Sequence, residues 1–289
     1  MKTIVPDYYR EFKCTAGNCS HSCCAEGWEI DIDKSAEARY RHEIGKRTEN
    51  GEKTAIGRKL EKAVKFGKPS HFVPEGKICP FFNKDGLCEL ILYGGDKMLC
   101  QICADHPRFR NFYDDHIEMG VGLCCEEAAR LIVTHKGPVR YEYLEPSSEP
   151  ASERIIIPEF MKCAVAVPER PDMEKICGSL LEMEILNEEW RDILRSVRDS
   201  LGKPLPGFFD TREWAERFLR IKEYLLYRHL KSDGLLFAEI SLSLIIESAK
   251  CEVLGKGEMS LERFLRLVGI FSSEIEYSEE AIGFLRSFK

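Results

Sequence analysis

The 289-residue sequence has no hydrophobic run that approaches the ~18 consecutive apolar residues of a membrane span. Its opening stretch, MKTIVPDYYREFKC, holds neither an apolar core nor a small-residue cleavage site, so no signal peptide is expected there. Internal repeats and long low-complexity tracts are absent. So is a clear glycine-rich nucleotide loop: only Gly94-Gly95-Asp96, after ELILY, comes near one, and a plain turn accounts for it better. Cationic excess is missing too. The formal net charge of −7 argues against nucleic acid or an anionic membrane as the main partner. The charge is uneven, with a net of +1 over residues 1–140 and −8 over residues 141–289. An acidic C-terminal half fits ordinary solvated helix faces, and would also attract a lysine-rich protein. The expected compartment is the cytoplasm, where thiols stay reduced.

Cysteine is what the chain has in plenty. Ten of its 13 cysteines lie between Cys14 and Cys125, in four tight groups. These are Cys14, Cys19, Cys23 and Cys24; Cys79 and Cys88; Cys100 and Cys103; and Cys124 and Cys125. A chain of this length buries enough core to fold without disulfide staples, and its cysteine count is odd. Clustered reduced thiols therefore point to soft-metal binding rather than disulfides. Thiolate-only coordination suits zinc, copper(I) or an iron–sulfur cluster, and the spacings leave that choice open. The paired C-x2-C knuckles of a zinc ribbon are absent, since only Cys100/Cys103 has that form. The C-x3-C-x2-C triplet of radical S-adenosylmethionine enzymes is absent as well, because Glu26 stands where its last cysteine would be. Adjacent residues point in different directions on a strand or helix, so Cys23 and Cys24 suit two sites more readily than one. His21 and His106 lie inside the cysteine groups, as ligands or as ordinary hydrogen-bonding imidazoles.

The expected fold is α+β and mostly helical: a loop-rich, cysteine-cluster domain over residues 1–140, then a helical domain over 141–289. The boundary is placed at the Pro- and Ser-rich stretch Tyr141–Arg154. Asp33 should cap a helix from about Lys34 to Arg47, and a second helix should run from Thr54 to Phe66. His71–Leu92 reads as a hairpin carrying Cys79 and Cys88, His116–Leu123 as a strand, and Glu126–Val133 as a helix. The later helices are expected over Met173–Ser200 with a break near Asn187, then Trp214–Leu230, Leu235–Ser248, Leu261–Phe271 and Glu279–Phe288. Cys163, Cys177 and Cys251 stand alone on these apparently helical segments and read as small core residues.

The run FKCTAGNCSHSCCAEGWEIDID, followed by CPFFNKDGLCEL, CADHPR and LCCEEAARLI, resembles the flagellin lysine N-methylases of the FliB type. The resemblance covers about residues 5–135. Part of it, CPFF…GLC…C, is shared with a broader cysteine-cluster family described as zinc- or iron-chelating. The family's eight recurring cysteines match Cys14, Cys19, Cys23, Cys24, Cys79, Cys88, Cys103 and Cys125, while Cys100 and Cys124 fall where serine is tolerated and are secondary candidates. The resemblance implies S-adenosylmethionine-dependent methylation of protein lysines, with flagellin as partner and a [4Fe–4S] cluster as cofactor, zinc being its replacement after exposure to air.

A lysine amine must lose its proton before it can attack a methyl group. Asp105, His106, Tyr113 and Glu126 adjoin the cysteine groups and could assist, Arg108 could support the cluster, and Trp28 could wall a lysine channel, with Trp28, His106 and Arg108 expected at one cleft mouth where the two parts meet. Each also has a structural reading: Glu126 suits a helix start, Arg108 a carboxylate partner, and Trp28 the core. The alternative to an enzyme is a non-catalytic zinc or iron–sulfur protein, serving as a structural site, in metal handling or in electron transfer. S-adenosylmethionine binding separates the two.

Overall fold

The computed structural model describes residues 1–144, 171–230 and 234–288. Cys163 and most of the expected linker, from residue 145 on, lie outside the described residues. By compactness the chain divides into Lys13–His106 and a second unit made of Met1–Phe12 with Pro107–Lys289. Composition pointed instead to residue 140. The compact division falls at the two ends of the cysteine-rich segment because Met1–Phe12 supplies a strand to the second unit's sheet. The architecture is α+β and mostly helical, as the sequence suggests.

In the Lys13–His106 unit, two helices cover a small sheet. Helix Lys34–Gly45 starts where the Asp33 carboxylate accepts the Ala36 amide at 2.9 Å, and helix Ala55–Ala63 starts at a matching Thr54 cap. The second helix stops at Ala63, short of the expected Phe66, because Val64–Lys65 turns into strand β3. Strands β2 (Asp31–Ile32), β3 and β4 (Ser70–Phe72) make an antiparallel sheet in the order β2-β4-β3. Tyr40, Leu60, Phe72, Phe81, Leu90, Met98 and Cys100 form the core.

The expected hairpin over His71–Leu92 forms only as isolated antiparallel bridges, Phe82 opposite Cys88 and Glu75 opposite Ile78. Beyond β4 the chain becomes a loop, with a turn at Asn83–Gly86 and a short helix, Glu89–Gly94. Pro74 and Pro80 carry no amide for a ladder. The Asn83 side chain also collects the Asp85 and Leu87 amides, both at 2.9 Å, which closes the turn locally. Gly86 sits at φ +73°, and a Cβ there would stand 2.9 Å from the Gly17 Cα. A Cβ on Gly17 would in turn meet the Asp85 carbonyl at 2.7 Å. Two glycines thus let the Cys14–Cys19 loop lie directly on the turn before Cys88. Gly94-Gly95 is a helix ending, with the Gly95 amide on the Ile91 carbonyl.

The second unit has a four-stranded sheet ordered β5-β6-β1-β7, from β1 (Lys2–Pro6), β5 (Arg108–Phe112), β6 (His116–Val121) and β7 (Tyr141–Tyr143). β1 runs parallel to β6, with Ile4 opposite Glu118, and antiparallel to β7, with Pro6 opposite Tyr141. Helix Arg212–His229 lies on the sheet: Tyr227 packs against Phe109 and Tyr141, and the Asn111 amide donates to the Tyr227 and Arg228 carbonyls. Gly120 is required here, since a Cβ would come within 2.5 Å of the Phe109 ring. The expected break near Asn187 is real, because Asn187 caps helix Glu188–Ser200 after helix Met173–Glu182 ends. Helix Gly234–Lys256 has buried residues along most of its length. Among the described residues no helix is long and apolar enough to cross a membrane.

A buried polar knot fastens this unit. Glu276, at the end of a π-helical turn Ser272–Glu276, accepts from Tyr224 at 3.0 Å, from Ser272, and from His229 Nε2 at 2.7 Å. Arg228 donates to the Tyr224 hydroxyl at 2.7 Å, and that hydroxyl also accepts the Leu123 amide at 3.2 Å. Burial holds the His229 imidazole below its usual range despite Glu276. Arg228 and His229 outweigh burial to hold the Glu276 carboxyl low.

Two predictions come from this packing. Gly86→Ala adds a strained positive φ to a backbone clash and should cost about 1–3 kcal/mol. Gly51→Ala, at φ +81° with nothing within 4 Å, carries only the conformational part. Urea denaturation followed by hydrogen exchange of the Lys13–His106 amides compares them, and equal losses would refute the contact. The knot gives a pH dependence of fixed sign. Both His229 and Glu276 bind protons more weakly folded than unfolded, so their stabilisation is full above the unfolded values and is lost as pH falls. The urea midpoint of the second unit should drop from pH 7.5 to pH ~5.5 through His229 and further toward pH ~4 through Glu276. His229→Asn should lower the midpoint at pH 7.5 and flatten the first part of that fall.

Candidate functional site

The chain folds the Lys13–His106 unit so that separate cysteine groups meet. The Cys79 amide donates to the Cys24 carbonyl at 2.8 Å and the Gly27 amide to the Lys77 carbonyl at 2.9 Å, which pairs the segment after Cys24 with the one before Cys79. Cys88 precedes helix Glu89–Gly94, and Cys100 precedes helix Gln101–Asp105. Cys23 and Cys24 open a short 3-10 turn whose Ser22 hydroxyl accepts the Cys24 amide at 3.3 Å. Cysteines at such positions have backbone amides near the sulfur, which favours thiolate.

The thiols of Cys24, Cys79, Cys88, Cys100 and Cys103 lie close enough to influence one another's ionisation. Cys100 and Cys103 have sulfurs 3.4 Å apart. They titrate as a pair: the hydrogen bond between them holds the Cys100 thiol down, and the same bond with burial pushes Cys103 up. Cys24 is lowered to about 7, first by its hydrogen bond with Cys23 and then by Ser22, against burial. Burial raises Cys79 to about 11 and also raises Cys88. Cys14 is exposed, while Cys19 and Cys23 are half-buried.

This donor set has the softness that thiophilic ions require. The Cys100–Cys103 separation is near the edge of a tetrahedral thiolate site, about 3.8 Å for metal–sulfur bonds of about 2.3 Å. Among the described residues no three His, Cys, Asp or Glu side chains are already gathered as a complete ion site. None of the described cysteines is in a disulfide. Cys100, a secondary candidate by resemblance, is the fully buried partner of Cys103, and its C-x2-C spacing was the signal.

The other predicted residues fall as follows. Trp28 and His106 come together, with ring centroids 6.3 Å apart. Asp105 accepts from the Gln101 side chain at 2.7 Å. Arg108 belongs to the other compact unit, where it donates to the Tyr9 hydroxyl at 3.0 Å and lies over the Tyr9 and Phe12 rings. Cys124, Cys125, Tyr113 and Glu126 are in that unit too. Cys125 precedes helix Glu126–Val133, with Glu126 in its first turn, and Tyr113 donates to Glu118 at 3.2 Å. The Cys124 thiol donates to the Tyr277 hydroxyl at 3.2 Å, and burial raises it to about 11. Cys177 and Cys251 pack with the second unit's core.

No family model matches the chain, and no solved structure matches it. Curated proteins do. A lysine-N-methylase of Salmonella typhimurium is 24% identical over 191 residues, and one of Salmonella choleraesuis is 25% identical over 195, each match covering 63% of this chain. The chain spans only 43% of the length of these relatives. A flagellar biosynthetic protein, FliU, of Salmonella muenchen is 26% identical over 144 residues, which is 46% of this chain and 79% of that protein. The family that the cysteine motifs suggest is thus the one named by these curated proteins, and the chain is a distant relative of the lysine-N-methylases.

Proposed function

We propose that the chain is an S-adenosylmethionine-dependent protein-lysine N-methyltransferase acting on flagellin, and that its Lys13–His106 unit holds a cysteine-ligated iron–sulfur cluster. The observation that carries the reading is the convergence of Cys24, Cys79, Cys88, Cys100 and Cys103 in a chain whose relatives are named lysine-N-methylases. In the transfer, the neutral lysine nitrogen attacks the sulfonium methyl carbon. The carbon–sulfur bond breaks, sulfur keeps the electron pair as a thioether, and the nitrogen's proton passes to a base. A bound cluster would supply a redox-active, electron-rich centre. Cys24, Cys79, Cys88 and Cys103 would hold it, with Cys100 available beside them and Cys14, Cys19, Cys23 and Cys125 completing the resemblance-based set. The cytoplasm is the compartment that keeps such thiols reduced.

Protein prepared without oxygen and given reductant, S-adenosylmethionine and flagellin should add methyl groups to flagellin lysines, read by intact-mass and peptide spectrometry. Absence of S-adenosylmethionine binding in the metal-loaded, reduced protein would favour the non-catalytic metal-protein reading. Ligand assignment has its own check. Cys24→Ser and Cys103→Ser should lose iron, sulfide and the visible charge-transfer absorption. Cys177→Ser and Cys251→Ser, which replace core thiols, should keep all three. Unchanged metal content in both of the first pair would refute the assignment.

A further inference from the structure

Within the Lys13–His106 unit, helix Lys34–Gly45 and its cap grip the segment around Cys100 at three points. The Tyr40 hydroxyl, on a residue with no exposed surface, donates to the Met98 carbonyl at 2.8 Å. Arg39 Nη2 donates to the Leu99 carbonyl at 2.8 Å. One oxygen of Asp33 caps the helix, and the other accepts the Gln101 amide at 2.7 Å. The Ala104 amide then closes a turn on the Cys100 carbonyl at 3.0 Å.

That grip sets two thiols against each other, with the Cys100 and Cys103 sulfurs in contact at 3.4 Å. Residues three apart on a helical turn have Cα atoms about 5 Å apart. That lies inside the range of about 4.4–6.8 Å that a disulfide spans. Closing the gap to an S–S bond of about 2.05 Å therefore takes side-chain rotation and no backbone movement. The contact is too close for two ligands of one centre. Thiolates around a single zinc ion stand about 3.8 Å apart, and those of a four-iron cube each take a different iron. Cys100 also falls outside the eight cysteines that the resemblance assigns to the cluster. It is fully buried, whereas Cys103 is half-buried, so an outside reagent meets Cys103 first and Cys100 stands behind it.

We propose that Cys100 and Cys103 form an intramolecular disulfide by exchange with a low-molecular-weight disulfide, with Cys103 as the attacking thiol and Cys100 as the resolving one. The Cys103 thiolate attacks one sulfur of the reagent, whose S–S bond breaks and whose other half leaves as a thiolate. The Cys100 thiolate then attacks the Cys103 sulfur, and the second half leaves with the electron pair of the mixed disulfide. The protons given up by the two cysteines go to the two departing thiolates. The protein is oxidised by two electrons and the reagent is reduced by two. A cysteine in a disulfide is no longer a thiolate ligand, so the exchange governs whether Cys103 is available to a metal. That consequence rests on the metal reading of this unit; the exchange itself does not.

The test uses the full chain, metal-free and reduced under nitrogen, with glutathione disulfide as probe. Tryptic cleavage after Lys97 and Arg108 leaves both cysteines in one peptide. That peptide should come out two hydrogens lighter and closed to alkylation, and reductant should reverse both changes. Cys100→Ser should stop halfway, with one glutathione held on Cys103. Cys103→Ser should leave Cys100 unmodified. Cys177→Ser, which replaces a core thiol of the other unit, should react like the unaltered protein. Circular dichroism verifies that each variant folds, and the peptide map of the unaltered protein answers the question if one does not. A Met98–Arg108 peptide that stays open to alkylation, a bond from Cys103 to Cys24 or another cysteine in place of Cys100, or a folded Cys100→Ser that carries no glutathione would overturn the proposal. Zinc titration keeps the metal reading apart. Zinc affinity should fall about tenfold or more on oxidation and return on reduction, since one thiolate ligand is withdrawn. A disulfide that forms in a protein binding no zinc when reduced upholds the exchange and removes the metal reading. Equal zinc affinity before and after the bond forms removes the consequence for metal uptake and takes Cys103 out of the ligand set.

Discussion

Glu276 is a carboxylate with essentially no exposed surface, and the larger unit is arranged around the donors that make that tolerable. An isolated charge at that depth costs several kcal/mol, so each donor must be held in place. Tyr224, Arg228 and His229 come from one helix, Ser272 from the π-helical turn, and the Leu123 amide joins through the Tyr224 hydroxyl. The same charge therefore fixes the end of helix Arg212–His229, the turn before the last helix, and the loop that delivers Cys124 and Cys125. Gly122 belongs to that requirement: a Cβ there would stand 2.8 Å from Arg228 Nη1. A π-turn is an uncommon conformation, often found where a side chain must be re-aimed, and here it presents Glu276 to its donors.

The cysteine-rich unit solves a different problem. Its core is modest, and its thiols are placed by backbone contacts rather than by long regular elements. Paired glycines at Gly17 and Gly86 bring two loops into direct contact, and the Cys79 amide reaches the Cys24 carbonyl. The result is graded chemistry within one neighbourhood. Cys24 is held low, Cys79 and Cys88 are pushed up by burial, and the bond between Cys100 and Cys103 lowers the one and raises the other. Thiols that repel one another once ionised are a poor way to stabilise a bare fold. They become favourable when a cation or cluster neutralises them, which is why metal binding and folding are coupled in such units.

Local signals were legible in the sequence. Asp33 caps its helix as expected, the break expected near Asn187 is where a new helix is capped, and Glu126–Val133 and Leu261–Phe271 coincide with the expected spans. Signals that need distant partners were not. The hairpin expected over His71–Leu92 shrinks to the Phe82–Cys88 bridge, because the Asn83 side chain closes the turn locally. The sheet joins β1 to β6 across more than a hundred residues, which no window of sequence shows. The Arg228–His229 pair sits at the end of an apolar stripe in EYLLYRHL, where it reads as an ordinary helix terminus until Glu276 is placed against it. Glu118 likewise looks like the polar half of a strand's alternation, yet it is 1% exposed. Buried charges were the missing signal in both cases.

A lysine acceptor makes opposed demands on whatever site holds it. It is captured most readily as an ammonium, and it reacts only as an amine. At neutral pH removing its proton costs about 4–5 kcal/mol for an unperturbed side chain. Carboxylates that attract the cation also stabilise its charged form, so strongly acidic neighbours alone would slow transfer. Burial works the other way, because a closed environment penalises the ammonium and raises the proton affinity of a nearby carboxyl. Glu223 shows the second effect within this chain, its carboxyl lifted by desolvation although Arg220 pulls it down.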